Sequence, residues 1–269
     1  MCTIGVLRFE DGSYALFKNK DFARPSFDDQ IVVERSVFGV SGLVTWAGSD
    51  AVVDDFSGFS IGANAEGLLC CDANVKTIPG YANYDDLVEI ALRSSGGFVG
   101  AVEAVADAVA LRPYNWGNLV LIDEDLAGGI EVRGDRIEAI VDDGPTIRTN
   151  HHIAFRATGD DDNTATSQPR LSTARRLIDS TGGLDGIHNL TRSHDGGSGG
   201  ICVHGSHQTV YSYVLHHDGD GINLSVTQGS PCQTAAPRVL TLPLGKSWSI
   251  AGADGFREDY PSQRSSVPT

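Results

Sequence analysis

Lysine is nearly absent from this 269-residue chain. Lys18, Lys20, Lys76 and Lys246 are the only four, and acidic residues outnumber basic ones 35 to 20. No basic stripe exists to neutralise phosphates, which argues against nucleic acid as a partner. Long apolar runs are missing as well, and no stretch approaches the ~20 consecutive apolar residues of a membrane helix. Asp11 and Lys18 interrupt the start, where an export signal would need a charged segment followed by an apolar one. The expectation is a soluble, cytoplasmic protein with no membrane partner. Cysteine is present five times, an odd number, without CxxC pairs or His-flanked metal spacing. Neither a disulfide framework, a metal nor a cofactor is expected, and Cys70, Cys71, Cys202 and Cys232 read as buried small hydrophobes. Repeats and linkers are also lacking. One domain over 1–256 is therefore expected, followed by a polar, Pro- and Ser-rich tail over 257–269.

What the chain does contain begins with charge. Its net charge is −15 and its isoelectric point near 4.7, with Asp far in excess of Glu. That composition is expected of a protein working in concentrated salt, where a Debye length of a few ångströms mutes repulsion between surface carboxylates. It says where a protein lives, not what it does. Whether the chain forms a homo-oligomer is left open.

Apolar periodicity orders the elements. The first 22 residues read as a hairpin turning at Asp11-Gly12, and further strands are expected over 31–33, 42–46, 59–64 and 67–71. Helical spacing follows. Asn83 is placed to cap a helix carrying Leu87, Ile90 and Ala91, and a second helix over 99–111 ends before Pro113. Strands return over 118–122, 129–132, 136–141 and 147–149. Gly159 to Ser167 reads as a solvated loop, and helices are expected over 171–180, capped by Ser172, and 184–193. Strands over 201–204, 209–216, 222–227 and 239–242 complete the chain. Two sheets, each covered by a helix pair, satisfy this order as a four-layer α+β sandwich.

Cys2 is the unusual residue. Removal of Met1 would place a thiol and a free α-amine on the same residue, and that amine, with a pKa near ~8, would be the closest proton acceptor to the sulfur. Taken singly, Cys2 is simply a cysteine after Met1, Asp21 a strand-end carboxylate, Asn74 and Asn150 turn residues, and Arg175 a solvated helix residue.

Their order along the chain carries more. Cys2 opens a strand, Lys18-Asn19-Lys20-Asp21 closes the next, Gly67-Leu68 precedes Asn74, Thr149-Asn150-His151 ends a strand, and Ser172-Thr173-Ala174-Arg175 opens a helix. In this arrangement, up to about residue 245, the sequence resembles the N-terminal-nucleophile (Ntn) hydrolases with a cysteine nucleophile. It is similar to the branch holding choloylglycine hydrolases, penicillin V acylases and acyl-CoA:isopenicillin N acyltransferase-like enzymes. The resemblance implies an αββα sandwich of two mainly antiparallel sheets. It implies Cys2 as nucleophile with its own α-amine as general base, Asp21 orienting it, Asn74 at the oxyanion, Asn150 on the amine or tetrahedral intermediate, and Arg175 near the thiol, with Arg176 equally available. Lys18 stands where the family more usually has Arg, keeping the charge without the bidentate fork. Lys18 and His151 are the expected substrate contacts. The implied reaction is hydrolysis or acyl transfer of a small-molecule amide through a thioester, needing loss of Met1 and no prosegment.

Two other readings remain. Asn19 through Pro25 also resembles the Asn-Arg-Asp-Glu opening of an Ntn-fold family without amidase activity, although the Gly-Gly-Thr-Trp element of that family is missing. A non-enzymatic acidic binding module is the third.

Overall fold

Side-chain alternation in the N-terminal hairpin decides how the molecule is layered. The computed structural model describes residues 1–23, 26–45, 52–155, 164–178, 183–195, 197 and 200–262. In it β1 (Cys2–Arg8) and β2 (Tyr14–Ala23) pair antiparallel. Gly12 supplies the positive φ of 86° at the turn. Nearly every residue of both strands is buried, so both faces of the hairpin need cover. Ile4, Val6, Tyr14 and Leu16 enter one core, while Leu7, Ala15 and Phe17 enter another.

The chain continues through β3 (Ser26–Val33), β4 (Val37–Thr45), β5 (Val52–Asp55), β6 (Ile61–Asn64) and β7 (Leu69–Lys76) to helices α1 (Asp85–Arg93) and α2 (Gly97–Leu111). Then come β8 (Tyr114–Ile122), β9 (Ala127–Gly134), β10 (Arg136–Val141) and β11 (Thr146–Arg148), followed by helices α3 (Thr164–Ile178) and α4 (Gly183–Thr191). β12 (His207–His217), β13 (Ile222–Gln228), β14 (Arg238–Thr241) and α5 (Ile250–Asp259) complete it. One sheet has the order β11-β1-β2-β12-β13-β14, and the other β10-β9-β8-β7-β6-β4-β3 with β5 beside β4. All named strand pairs are antiparallel.

Three apolar clusters account for the four layers. Ile4, Leu16, Phe38, Ile61, Val120 and Leu224 fill the space between the sheets. Leu87, Ala91, Phe98, Ala101 and Val105 seat α1 and α2 on the second sheet, and Leu171, Ala174, Ile178, Ile187 and Leu190 seat α3 and α4 on the first. Each fully buried aliphatic side chain contributes roughly 1.5–3 kcal/mol, so burial on both sides of each sheet dominates its stability. This is the αββα sandwich expected from the order of elements. Among the described residues no helix is long and apolar enough to cross a membrane.

Four local readings are corrected. α3 begins at Thr164, seven residues before the expected start, and continues through Pro169, so Ser172 lies inside the helix instead of capping it. Residues 164–167, expected in a solvated loop, are its first turn, and Ser167 is buried. No strand forms over 201–204, where the chain bends. The expected polar tail over 257–269 starts too early: α5 runs to Asp259, Tyr260 is buried, and its hydroxyl donates to Asp29 Oδ2. Arg24-Pro25, Trp46, 156–163, 179–182 and 263–269 lie outside the described residues.

Candidate active site

Strand register puts Cys2 among cations. In the β1–β2 pair Cys2 lies opposite Lys20, and Lys18 lies opposite Ile4 two residues along. Alternate residues share a face of a sheet, so Cys2, Lys18 and Lys20 all face the second sheet. Thr3 and Asn19 face α3 and α4, and the Asn19 amide donates to Thr191 O at 2.8 Å and Ile201 O at 2.9 Å. Cys2, Lys18, Lys20, Asp21, Asn74 and Tyr84 line a cavity of about 360 Å³, with Asp72 and Asp85 also on its wall and Phe22 and Phe56 giving it an apolar side. A larger cleft of about 800 Å³ opens at the other end of the hairpin, around Leu7, Phe9, Pro145 and Leu184, but Cys2 does not reach it. The smaller cavity is the one with chemistry in it.

The backbone of Cys2 is held on both sides. Its N–H donates to Asn150 Oδ1 at 2.8 Å, and its carbonyl accepts from Arg170 Nη1 at 2.5 Å. Arg170 Nη2 donates to the same Asn150 oxygen at 2.7 Å, and Nη1 also reaches Thr3 Oγ1 at 3.2 Å. Asn150 Nδ2 donates to Asn74 O at 2.5 Å. With two donors on its oxygen and an acceptor on its nitrogen, the Asn150 amide has one satisfied orientation. Ser167 Oγ accepts from Asn150 N at 2.8 Å, tying the end of β11 to α3.

Asp21 sits at the end of β2. Its backbone exchanges two 2.9 Å hydrogen bonds with Met1, and its Oδ1 accepts from Thr209 Oγ1 at 2.7 Å. Oδ2 is buried with no hydrogen-bond partner among the described residues. Burial pushes the carboxyl up to about 6, although the terminal ammonium, Arg170 and Thr209 pull the other way. An unspent acceptor beside the N-terminus is suited to hold an ammonium group.

The cavity wall opposite is a buried ionic network. Lys18 Nζ donates to Ser60 O at 2.7 Å and pairs with Asp72 Oδ1 at 3.1 Å. Burial alone would lower the Lys18 ammonium, but Asp72 and then Cys2 outweigh it, and the group is held protonated. Lys20 donates to Ser60 Oγ at 2.9 Å and lies 4.0 Å from the centre of the Phe27 ring. Its pKa is lowered, first by burial. Burial, then Asp72, pushes Asp85 well above the usual carboxylate range.

The expected site residues divide. Cys2, Lys18, Asp21 and Asn74 meet at the cavity, and Asn150 stands behind Cys2. Asn74 Nδ2 donates to Thr77 Oγ1 at 3.2 Å. Arg175 does not join them: it is exposed on α3, and Arg176 is exposed and paired with Asp195. The buried stripe of α3 is Ser167, Arg170, Leu171, Ala174 and Ile178, a helical period that residues 175 and 176 miss. Arg170, fully buried, is the arginine at Cys2. His151 is also displaced from its expected role, being buried with Nδ1 2.7 Å from Ser167 Oγ and outside the cavity lining. Lys20, Asp72, Asp85, Arg170 and Thr209 were not anticipated. An arginine on an apolar helical stripe is the one signal for Arg170, and a helix beginning at Leu171 leaves it outside.

No family model and no curated sequence matches the chain. Solved structures do. Penicillin V acylase from Agrobacterium tumefaciens superposes with a TM-score of 0.52 at 12% identity, covering 89% of this chain and 85% of that one. A Caenorhabditis elegans N-acylethanolamine-hydrolyzing acid amidase ortholog superposes with a TM-score of 0.50 at 13% identity, covering 87% and 95%. Both are cysteine Ntn hydrolases. At such identities the likeness is one of fold, and the chain has the Ntn-hydrolase fold with Cys2 at the start of its first strand.

Proposed function

We propose that this protein is a cysteine-dependent amide hydrolase or acyltransferase in which Cys2, freed of Met1, is the nucleophile. The observation that carries the reading is the double grip of Asn150 and Arg170 on the Cys2 backbone at the rim of a cavity, in a fold shared with amidases of the same nucleophile class. Such a grip fixes where an α-amine and its thiol would stand relative to a bound carbonyl.

In the proposed reaction the Cys2 amine accepts the thiol proton and sulfur attacks the amide carbon. Asn74, which lines the cavity, is the candidate donor to the developing oxyanion, its side-chain amide turning from Thr77 to do so. Collapse breaks the C–N bond, and the protonated amine returns its proton to the leaving nitrogen. The thioester is then resolved by water or a second amine, with the same amine taking the proton. Asp21 holds the ammonium form in place, and Arg170 acts through the Cys2 carbonyl and Asn150 as a positioning residue.

The cavity volume falls at the small end of the range for small-molecule sites. Phe22 and Phe56 offer an acyl group an apolar wall, while Lys18 and Lys20 face the polar end of a substrate. A linear N-acyl amino compound fits this division better than a peptide. Intact mass measured before and after incubation with a mixed N-acyl amide library tests the proposal. The expected result is a chain beginning at Cys2 that gains an acyl mass, which Cys2→Ala does not. Activity in a chain that retains Met1, or in Cys2→Ala, overturns it.

A further inference from the structure

Outside the cavity lining, the segment after α4 and the short helix at Pro231–Gln233 bring three neighbouring side chains together with one 28 residues further along the chain. His194, Cys202, His204 and Cys232 place one ligand atom each within 4.8 Å of one another. His204 Nε2 lies 3.2 Å from His194 Nε2, 3.7 Å from Cys202 Sγ and 3.2 Å from Cys232 Sγ. An imidazole Nε2 has either one proton or one lone pair, directed along a single in-plane axis. It cannot hydrogen-bond three neighbours crowded around it, whereas a cation at their centre would satisfy all four groups at once.

The spacing suits one class of ion. Zinc bound tetrahedrally by thiolates at about 2.3 Å and imidazoles at about 2.0–2.1 Å puts sulfur and nitrogen ligands ~3.6 Å apart and two nitrogens ~3.3 Å apart. The three separations from His204 Nε2 lie within about 0.4 Å of these edges, and all four ligand atoms lie within 4.8 Å of one another. Two soft sulfurs with two imidazoles in a tetrahedron select zinc over harder cations. His204 Nδ1 lies 3.5 Å from Ser230 Oγ, an outer partner that favours a proton on Nδ1 and leaves Nε2 free to ligate. The spacing in sequence, with ligands at 194, 202, 204 and 232, matches no short zinc signature, so the expectation of no metal site rested on a pattern this cluster does not use.

We propose that His194, Cys202, His204 and Cys232 form a closed, structural zinc site. Binding releases the two thiol protons and yields a neutral complex, Zn²⁺ with two thiolates and two neutral imidazoles. Its position gives it something to brace. Val203, between two of the ligands, exchanges hydrogen bonds with Thr209: Val203 N donates to Thr209 Oγ1 at 3.0 Å, and Thr209 N donates to Val203 O at 3.0 Å. The same Thr209 hydroxyl donates to Asp21. The ion therefore pins the segment that holds the Asp21 carboxylate, and it links that segment to the Cys232 turn beyond β13.

The test uses the full chain purified under reducing conditions in micromolar zinc, with metal content measured after gel filtration. One zinc per chain is expected in the parent and in Cys2→Ala, and loss of zinc in His194→Ala and Cys232→Ser. His194 is exposed and Cys232 half-buried, so both variants should retain the parent circular dichroism. Cobalt substitution should give the intense visible bands of a tetrahedral ion and a near-ultraviolet sulfur-to-cobalt band, both removed by zinc. A parent chain that holds no zinc, zinc retained in both ligand variants, or a Cys202–Cys232 disulfide that excludes metal from the native protein overturns the assignment. Metal content and spectrum are read without any substrate, so this outcome is independent of amide hydrolysis.

Discussion

Asp21 and Arg170 do different work around Cys2, and substitutions separate them. Burial raises the Asp21 carboxyl from 3.8 to about 6, so the fold favours its protonated form. Stability is therefore lost as pH rises from 3.8 through about 6, and that cost is fully present at neutral pH. Asp21→Asn should be more stable than the parent above pH 6 by on the order of 1–3 kcal/mol, because it removes the buried charge. If the ionised carboxylate holds the Cys2 ammonium, the same variant should lose most kcat/KM. In the parent, kcat/KM should fall as pH drops below about 6. Chemical denaturation at two pH values and a pH–rate profile check both, and an active Asp21→Asn removes the role. Arg170→Ala has the opposite signature. It leaves Cys2 O, Asn150 Oδ1 and Asp21 without their cation, and should cost about 3 kcal/mol or more in a denaturant titration. Arg175→Ala, on the exposed side of the same helix, should stay within about 0.5 kcal/mol.

At the scale of elements, the hairpin's period of two is what makes the site. A shift of one residue between β1 and β2 would exchange Lys18 and Lys20 for Asn19 and Asp21 on the face that Cys2 shares. The two-sided cover was legible in the sequence, since Ile4, Val6, Leu16 and Phe17 can be buried only in a sheet covered on both sides. The parity was not, because a two-residue turn at Asp11-Gly12 would pair Cys2 with Asp21 and the observed register pairs it with Lys20. The reach of α3 was not legible. Pro169 normally ends or starts a helix, yet here it sits six residues in, and the helix survives through the packing of Leu171, Ala174 and Ile178. α5 was missed because Ile250 to Asp259 is short and weakly periodic, although Phe256 and Tyr260 pack into the intersheet core. A chain ending at Phe256 should therefore melt several degrees below one ending at Ser262, because it loses the Tyr260 ring and its bond to Asp29. Equal melting temperatures would return 257–262 to the status of a tail.

The whole molecule carries a net charge of −15, and most of its ion pairs among the described residues are exposed. Surface pairs of that kind contribute little, whereas excess like charge opposes compaction until salt screens it. The melting temperature should rise as salt goes from low to molar concentration, and a flat or falling curve would remove the reading of a salt-adapted protein. The paired lysines at the cavity should respond far less, because Lys18 and Asp72 are shielded from solvent.

The sequence by itself determined the layers and the hairpin, because apolar periodicity is a local property and burial leaves few ways to satisfy it. It also placed Cys2, Asp21, Asn74 and Asn150 in one order along the chain. Only tertiary structure decided which arginine meets Cys2, since helix phase around Pro169 depends on packing and not on spacing. Tertiary structure alone also buried Asp72 and Asp85 against the lysines, and drew Cys232 onto His194, Cys202 and His204 to form one cluster. Those arrangements are made by contacts between segments that no stretch of sequence contains.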